Sequence, residues 1–283
     1  MEVTEISYPG RGERRRSVLA LWHLLSLDAP SVAVMWTWFI AHLNHVHLRW
    51  SSLAAMAAAV WTLYAADRLL DALSPTSETL EARHHFHSDH RAGFMAGIAI
   101  ASVLLAFLLP GIPEQAIRLY LVLGGLVFGY FVIIHVVGSA HRLPKEIAVG
   151  VCFASATFIP TVARDPALRI PLLPAALLLA ALCSLNCLFI YAWEHPQPGA
   201  QQPHPITALA LRHLAGLTVI VLVISTGLTV LDHGVSVFLH AALALAALAL
   251  LLVHLRRHQM ERVELRAAAD LALLTPLLMV PFL

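Results

Sequence analysis

Residues 61–72 read WTLYAADRLLDA and close a run of about 20 mostly apolar residues, the length that spans a bilayer. Asp67 and Asp71 are four apart, so a helix puts both carboxylates on one face. Charges placed where a membrane helix reaches its water boundary are costly unless they have a partner. The partner suited to two nearby carboxylates is a hard divalent cation, which takes oxygen ligands. The alternative is a solvated pair at a helix end, neutralised by Arg68.

The rest of the chain carries the same signature. It is 59% hydrophobic and 12% charged, about half the charged fraction of soluble domains, and this places it in the multi-pass membrane class. The net charge of +1 implies no nucleic-acid partner. Cys152, Cys183 and Cys187 fall inside apolar runs without metal-type spacing and read as small buried apolar residues. The start, MEVTEISYPGRGERRRS, is polar and basic, without the pattern of a cleavable signal.

Nine stretches are apolar enough to span: 28–46, 51–71, 93–110, 115–138, 146–163, 171–193, 207–231, 234–255 and 267–283. The expected fold is therefore an all-α, multi-pass membrane bundle of about nine transmembrane helices, one integral membrane domain over residues 1–283. Residues 1–27 would supply a basic cytoplasmic N-terminus and an interfacial helix, with a break expected at Asp28-Ala29-Pro30. With the N-terminus cytoplasmic, fourteen Lys and Arg fall on the inner side and four, Arg49, Arg118, Arg164 and Arg169, on the outer. That asymmetry favours N-in and C-out, and the expected location is a bacterial inner membrane. It also puts the two long polar loops, 72–92 and 194–206, on the cytoplasmic face.

The acids of the spans sort to one side. Asp28, Asp67, Asp71, Glu194 and Asp270 all lie within about two turns of the cytoplasmic boundary, which points to a cavity opening there. Helix ends also collect polar residues by themselves. The loop sequence RHHFHSDHR, residues 83–91, offers His84, His85, His87 and His90 as metal ligands and Arg83 and Arg91 as anion partners. Its spacing fits no standard zinc pattern, and a solvated, weakly basic loop explains the histidines as well. The stretch NCLFIYAWEHPQPG, residues 186–199, sets Asn186, Tyr191 and Glu194 along one side of a helix, a second polar wall. Tyr191 and Trp193 also fit as interfacial anchors, whereas a buried Asn186 must find a partner. His135, His240 and His254 read as satisfied interior or interface histidines.

At this point the residues resemble a family. The nine-helix, N-in layout, with polar loops after the second and sixth helices, resembles the UbiA superfamily of intramembrane prenyltransferases. Asp67-Arg68-Leu69-Leu70-Asp71 matches the D-R-x-x-D core of its first motif. Arg83 and Ser88 echo a following R-P-L-x-S-G segment, and Leu143-Pro144 through Gly150 with Ile159-Pro160 echo L-P-x-x-x-x-G and I-P. Tyr191-Ala192 and Thr207-Ala208 stand where the family has Y-A and T-A-x-x-L. The chain departs from the pattern at Leu63, which replaces the motif asparagine. It departs again at Leu188, His195 and Gly199, where the second motif has acids.

The resemblance implies transfer of an isoprenoid group from a diphosphate to an aromatic or ring acceptor dissolved in the bilayer. Magnesium would be held by Asp67, Asp71 and Glu194, with Arg83, Arg91 and Lys145 neutralising the diphosphate. Asn186 and Tyr191 would line the substrate side. Two other readings stay open: a membrane terpene cyclase, which needs no acceptor, and a non-catalytic lipid- or cofactor-binding protein that keeps the fold.

Overall fold

The computed structural model describes residues 18–71, 90–136, 144–195, 203–232, 234 and 236–283. Every regular element among them is helical: α1 (Val18–Leu24), α2 (Asp28–Leu43), α3 (Trp50–Asp71), α4 (Arg91–Leu108), α5 (Glu114–Val136) and α6 (Lys145–Arg164). The second half adds α7 (Leu173–Glu194), α8 (Pro205–Arg212), α9 (Leu214–Leu231), α10 (Ser236–Arg256), α11 (Arg262–Leu271) and α12 (Pro276–Met279). Six described helices are long and apolar enough to cross a membrane. A seventh span is made if Arg262–Leu274 and Pro276–Phe282, bent by 40° at their junction, count as one.

Each of the nine apolar stretches carries helix, but not always as one piece. The stretch 207–231 is divided by a turn at His213, so α8 and α9 are separate. The stretch 267–283 breaks at Thr275, where Pro276, lacking an N–H to return to the preceding turn, starts the next helix. Thr275 Oγ1 donates to the Ala242 carbonyl at 2.7 Å and anchors the break. At 16 residues, α2 rises only about 24 Å. Pro30 sits in its first turn, where a missing N–H costs nothing. The break expected near that proline falls just ahead of the helix, where Ser26 adopts a left-handed φ of 58°.

The core runs through α2, α7 and α10. Trp36, Phe39 and Ile40 pack with Leu179, Leu182 and Phe189 and with Leu239, Leu243 and Leu250. The Trp36 indole donates to the Leu273 carbonyl at 2.8 Å, so its one polar atom is satisfied inside. Outward faces are apolar too: Phe107, Leu121, Phe128, Val230 and Leu255 are all exposed, as helices facing lipid require.

The most extensive helix pair is α6 with α7. Gly150 makes it possible, since a Cβ there would lie 2.6 Å from the Ser184 Cα and closer still to the Ser184 nitrogen. Such close backbone approach is how membrane helices associate without a hydrophobic driving force. About three turns further along α6, Pro160 deprives the Ala156 carbonyl of its helical partner. The Tyr120 hydroxyl of α5 donates to that carbonyl at 3.2 Å. Tyr120→Phe should therefore lower stability by about 1 kcal/mol, read as thermal unfolding in detergent micelles. An unchanged transition would show that the carbonyl finds another donor.

Candidate functional site

Arg68, set between the two motif aspartates, points into the protein and is only 7% exposed. Its Nη1 donates to the His23 carbonyl at 2.6 Å and to Ser26 Oγ at 3.0 Å, and its Nη2 donates to Asp28 Oδ2 at 3.2 Å. His23 Nδ1 meets the same Asp28 oxygen at 2.5 Å. Asp28 Oδ1 accepts the Ala29 N–H at 3.0 Å, so this carboxylate also opens α2. One guanidinium thus ties α3 to the α1–α2 turn and holds Ser26 in its left-handed conformation.

A second polar strand of the site comes from α7 and α11. Asn186, 5% exposed, donates through Nδ2 to Asp270 Oδ1 at 2.8 Å. Ligand-type atoms of His23, Asp28 and Asp270 lie within 4.8 Å of one another, the one such trio among the described residues. Two carboxylates this close repel unless a proton or a cation lies between or beside them. Beside them is a cavity of about 30 Å³, room for one or two waters, bounded by Tyr64, Gly150, Phe153, Cys187, Asn186 and Asp270. Asn186 is eight residues before the end of α7, so the centre lies about 12 Å below it.

Positions 67 and 71 belong to α3, the helix that brings Tyr64 to the cavity. By the 3.6-residue turn, position 71 lies close to the line of Tyr64, which borders the cavity, and Asp67 lies between Tyr64 and Leu63. Leu63 is 63% exposed and faces away from the packed interior. Asp67 is half-buried, and Asp71 is the last residue of α3, with its side chain outside the described set. Arg83, His84, His85 and His87 also lie outside the described residues. His90 immediately precedes α4, Arg91 opens it and is exposed, and Lys145 opens α6, also exposed.

The sequence-derived wall on α7 divides in two. Asn186 turns to Asp270, as described, whereas Glu194 forms an ion pair with Arg266 of α11. Side chains of both partners are largely buried, at 13% and 7% exposure. That carboxylate already has a matching charge, and joining a metal would require the ion pair to open. Tyr191 is half-buried and stacks on His195 with ring centroids 4.4 Å apart. Trp193 donates to His254 Nδ1 at 3.1 Å, so His254 is satisfied at a helix interface.

Asp28 and Asp270 stand out in the sequence among the acids at the ends of the apolar stretches, and the fold brings them together. His23 carries no such signal. It lies in a short lead-in helix whose other residues are apolar; the turn after it brings Asp28 to the ring, and the meeting of α1 with α11 adds Asp270. No family model, curated protein or solved structure matches this chain. What the described residues define is a helical protein with six to seven membrane-type helices and a buried charged centre.

Proposed function

We propose that the chain is a UbiA-like membrane prenyltransferase of nine spans, with its N-terminus in the cytoplasm. It transfers an isoprenoid group from a diphosphate to an aromatic or ring acceptor dissolved in the membrane. The observation that carries the reading is the inward lock of Arg68 within D-R-x-x-D. With the guanidinium engaged by Asp28 and His23, the rotation of α3 is fixed, which would turn positions 67 and 71 toward the side of Tyr64 and the cavity. Magnesium keeps several waters and binds through one or two carboxylates plus substrate phosphates, a demand that Asp67 and Asp71 can meet without Glu194. Bound with the diphosphate, it would stabilise the negative charge of the departing group. Arg91 and Lys145, exposed at the first turns of α4 and α6, and Arg83 of the connecting loop would neutralise what remains. The exposed apolar faces would keep the isoprenoid tail in lipid.

A second reading is a non-catalytic membrane protein of the same fold, and it has an observation in its favour. Glu194 is sealed by Arg266, Leu63 offers no ligand, and the cavity is far below the roughly 300–1,000 Å³ of small-molecule sites. One experiment separates the two. Purified protein is incubated with radiolabelled farnesyl diphosphate, magnesium and a membrane-lipid extract as the source of acceptor. The prenyltransferase reading expects a labelled lipid product, at least a hundredfold weaker in Asp67→Asn and Asp71→Asn. Product formed from the diphosphate alone would instead make the chain a cyclase. No product, or product indifferent to both substitutions, would leave the non-catalytic reading.

A further inference from the structure

We propose that the cavity beside Asp270 is a binding site for one monovalent metal cation of the sodium class, held by the Asp270 carboxylate and the side-chain carbonyl of Asn186. The site uses neither Asp67 nor Asp71 and does not depend on the prenyltransferase reading.

Charge balance is the first argument. The centre holds two carboxylates, Asp28 and Asp270, and one permanent cation, Arg68. Arg68 ion-pairs with Asp28, while Asp270 has a neutral amide and the Asp28 carboxylate as its neighbours. With His23 neutral, one negative charge is left over inside a membrane protein, where an uncompensated charge is expensive. One monovalent cation cancels it, and a divalent ion would overshoot by one.

Asn186 supplies the second, independent argument. Its Nδ2 is committed to Asp270, and its Oδ1, buried and facing the same region, has no hydrogen-bond partner among the described residues. A buried carbonyl oxygen needs a donor or a cation. A proton shared by the two carboxylates would balance the charge but do nothing for this oxygen. A cation in the cavity serves both, with oxygen ligands of the kind hard cations take. About 30 Å³ admits such an ion with a water to complete its shell.

The backbone nearby is the third. Asp270 stands five residues before Thr275, where the last segment bends by 40°, and Leu273 of that segment lines the cavity. Broken helices at membrane depth are where transport proteins coordinate sodium.

The test is equilibrium binding of radioactive sodium to the purified full-length chain in detergent, paired with melting temperatures in sodium chloride and choline chloride at equal ionic strength. Expected are saturable binding of one ion per chain and a melting temperature that rises with sodium concentration, as linkage requires. Asp270→Asn should abolish both effects, and Asn186→Leu should weaken binding at least tenfold. Glu114→Gln, in an exposed pair with Arg118, should leave both intact. Absence of saturable binding by the wild type would overturn the proposal, even if both site variants failed to fold. So would melting temperatures that follow pH but not sodium, since a proton would then be the counter-charge. Sodium binding retained in Asp270→Asn would place the ion elsewhere and defeat it equally.

Discussion

Arg68→Leu is expected to destabilise the protein by about 3–5 kcal/mol, the cost of leaving a buried charge without its partner. The substitution removes three hydrogen bonds at once and strands Asp28 against His23 and Asp270. It also releases Ser26, whose left-handed φ is not one a serine adopts readily. Arg68→Lys should recover only part of the loss, because one ammonium cannot reproduce the forked contacts to a carbonyl, a hydroxyl and a carboxylate. The informative comparison is Arg68→Leu with Asp28→Asn. Removing both charges should make the double variant more stable than Arg68→Leu alone, a coupling visible in thermal or denaturant unfolding in micelles. Simple additivity of the two losses would mean that the ion pair is not what holds α3 to the α1–α2 turn.

Gly150→Leu should be at least as damaging, and here the reason is space, not charge. Even alanine at this position would press on the backbone of Ser184, and backbone cannot rotate out of the way. Overpacking of this kind costs about 1–3 kcal/mol for a methyl group, and a leucine should drive α6 and α7 apart. Ser184→Gly should rescue Gly150→Ala poorly, because the obstruction includes the Ser184 nitrogen and Cα as well as its hydroxyl. Gly124, Gly125 and Gly129 of α5 make the control. A Cβ there meets nothing within 4 Å, so alanine should be neutral or stabilise by about 0.5–1 kcal/mol. Comparable losses at Gly150 and at these three would show that the effect is helix propensity and not packing. The readout is the yield of monodisperse protein on size-exclusion chromatography and its unfolding temperature.

The helices could be read from the chain because each depends on local pattern. Long apolar runs, prolines at their edges and acids at one end are all short-range signals. Asn186 could be singled out for the same reason, since any buried amide must find a partner. Which partner it finds could not, because Asp270 arrives from the far end of the chain on a separate helix. Arg68 shows the limit most clearly. The sequence offers it as a neutraliser for Asp67 and Asp71, its nearest neighbours, yet the guanidinium turns to Asp28. That choice follows from the packing of α2 against α3, which no spacing rule encodes. Glu194 is similar: two turns along the helix from Asn186, it reads as part of one wall, and Arg266 takes it into a separate ion pair. Gly150 lay inside a family-like segment, but its role depends on what faces it, and glycine alone does not announce a helix crossing.

The make-up of α11 has a consequence for how the chain enters its membrane. This helix reads RVELRAAADL, with Arg262, Glu264, Arg266 and Asp270 among ten residues. Each such charge costs about 2.5–3.5 kcal/mol when a helix partitions alone into the centre of a bilayer. No translocation machinery weighing this segment by itself would release it sideways into lipid. Its Arg266 and Asp270 find their partners in Glu194 and Asn186 of α7. The carboxyl-terminal segment is therefore expected to dock onto helices already in place, and a chain that lacks α7 should leave it at the surface.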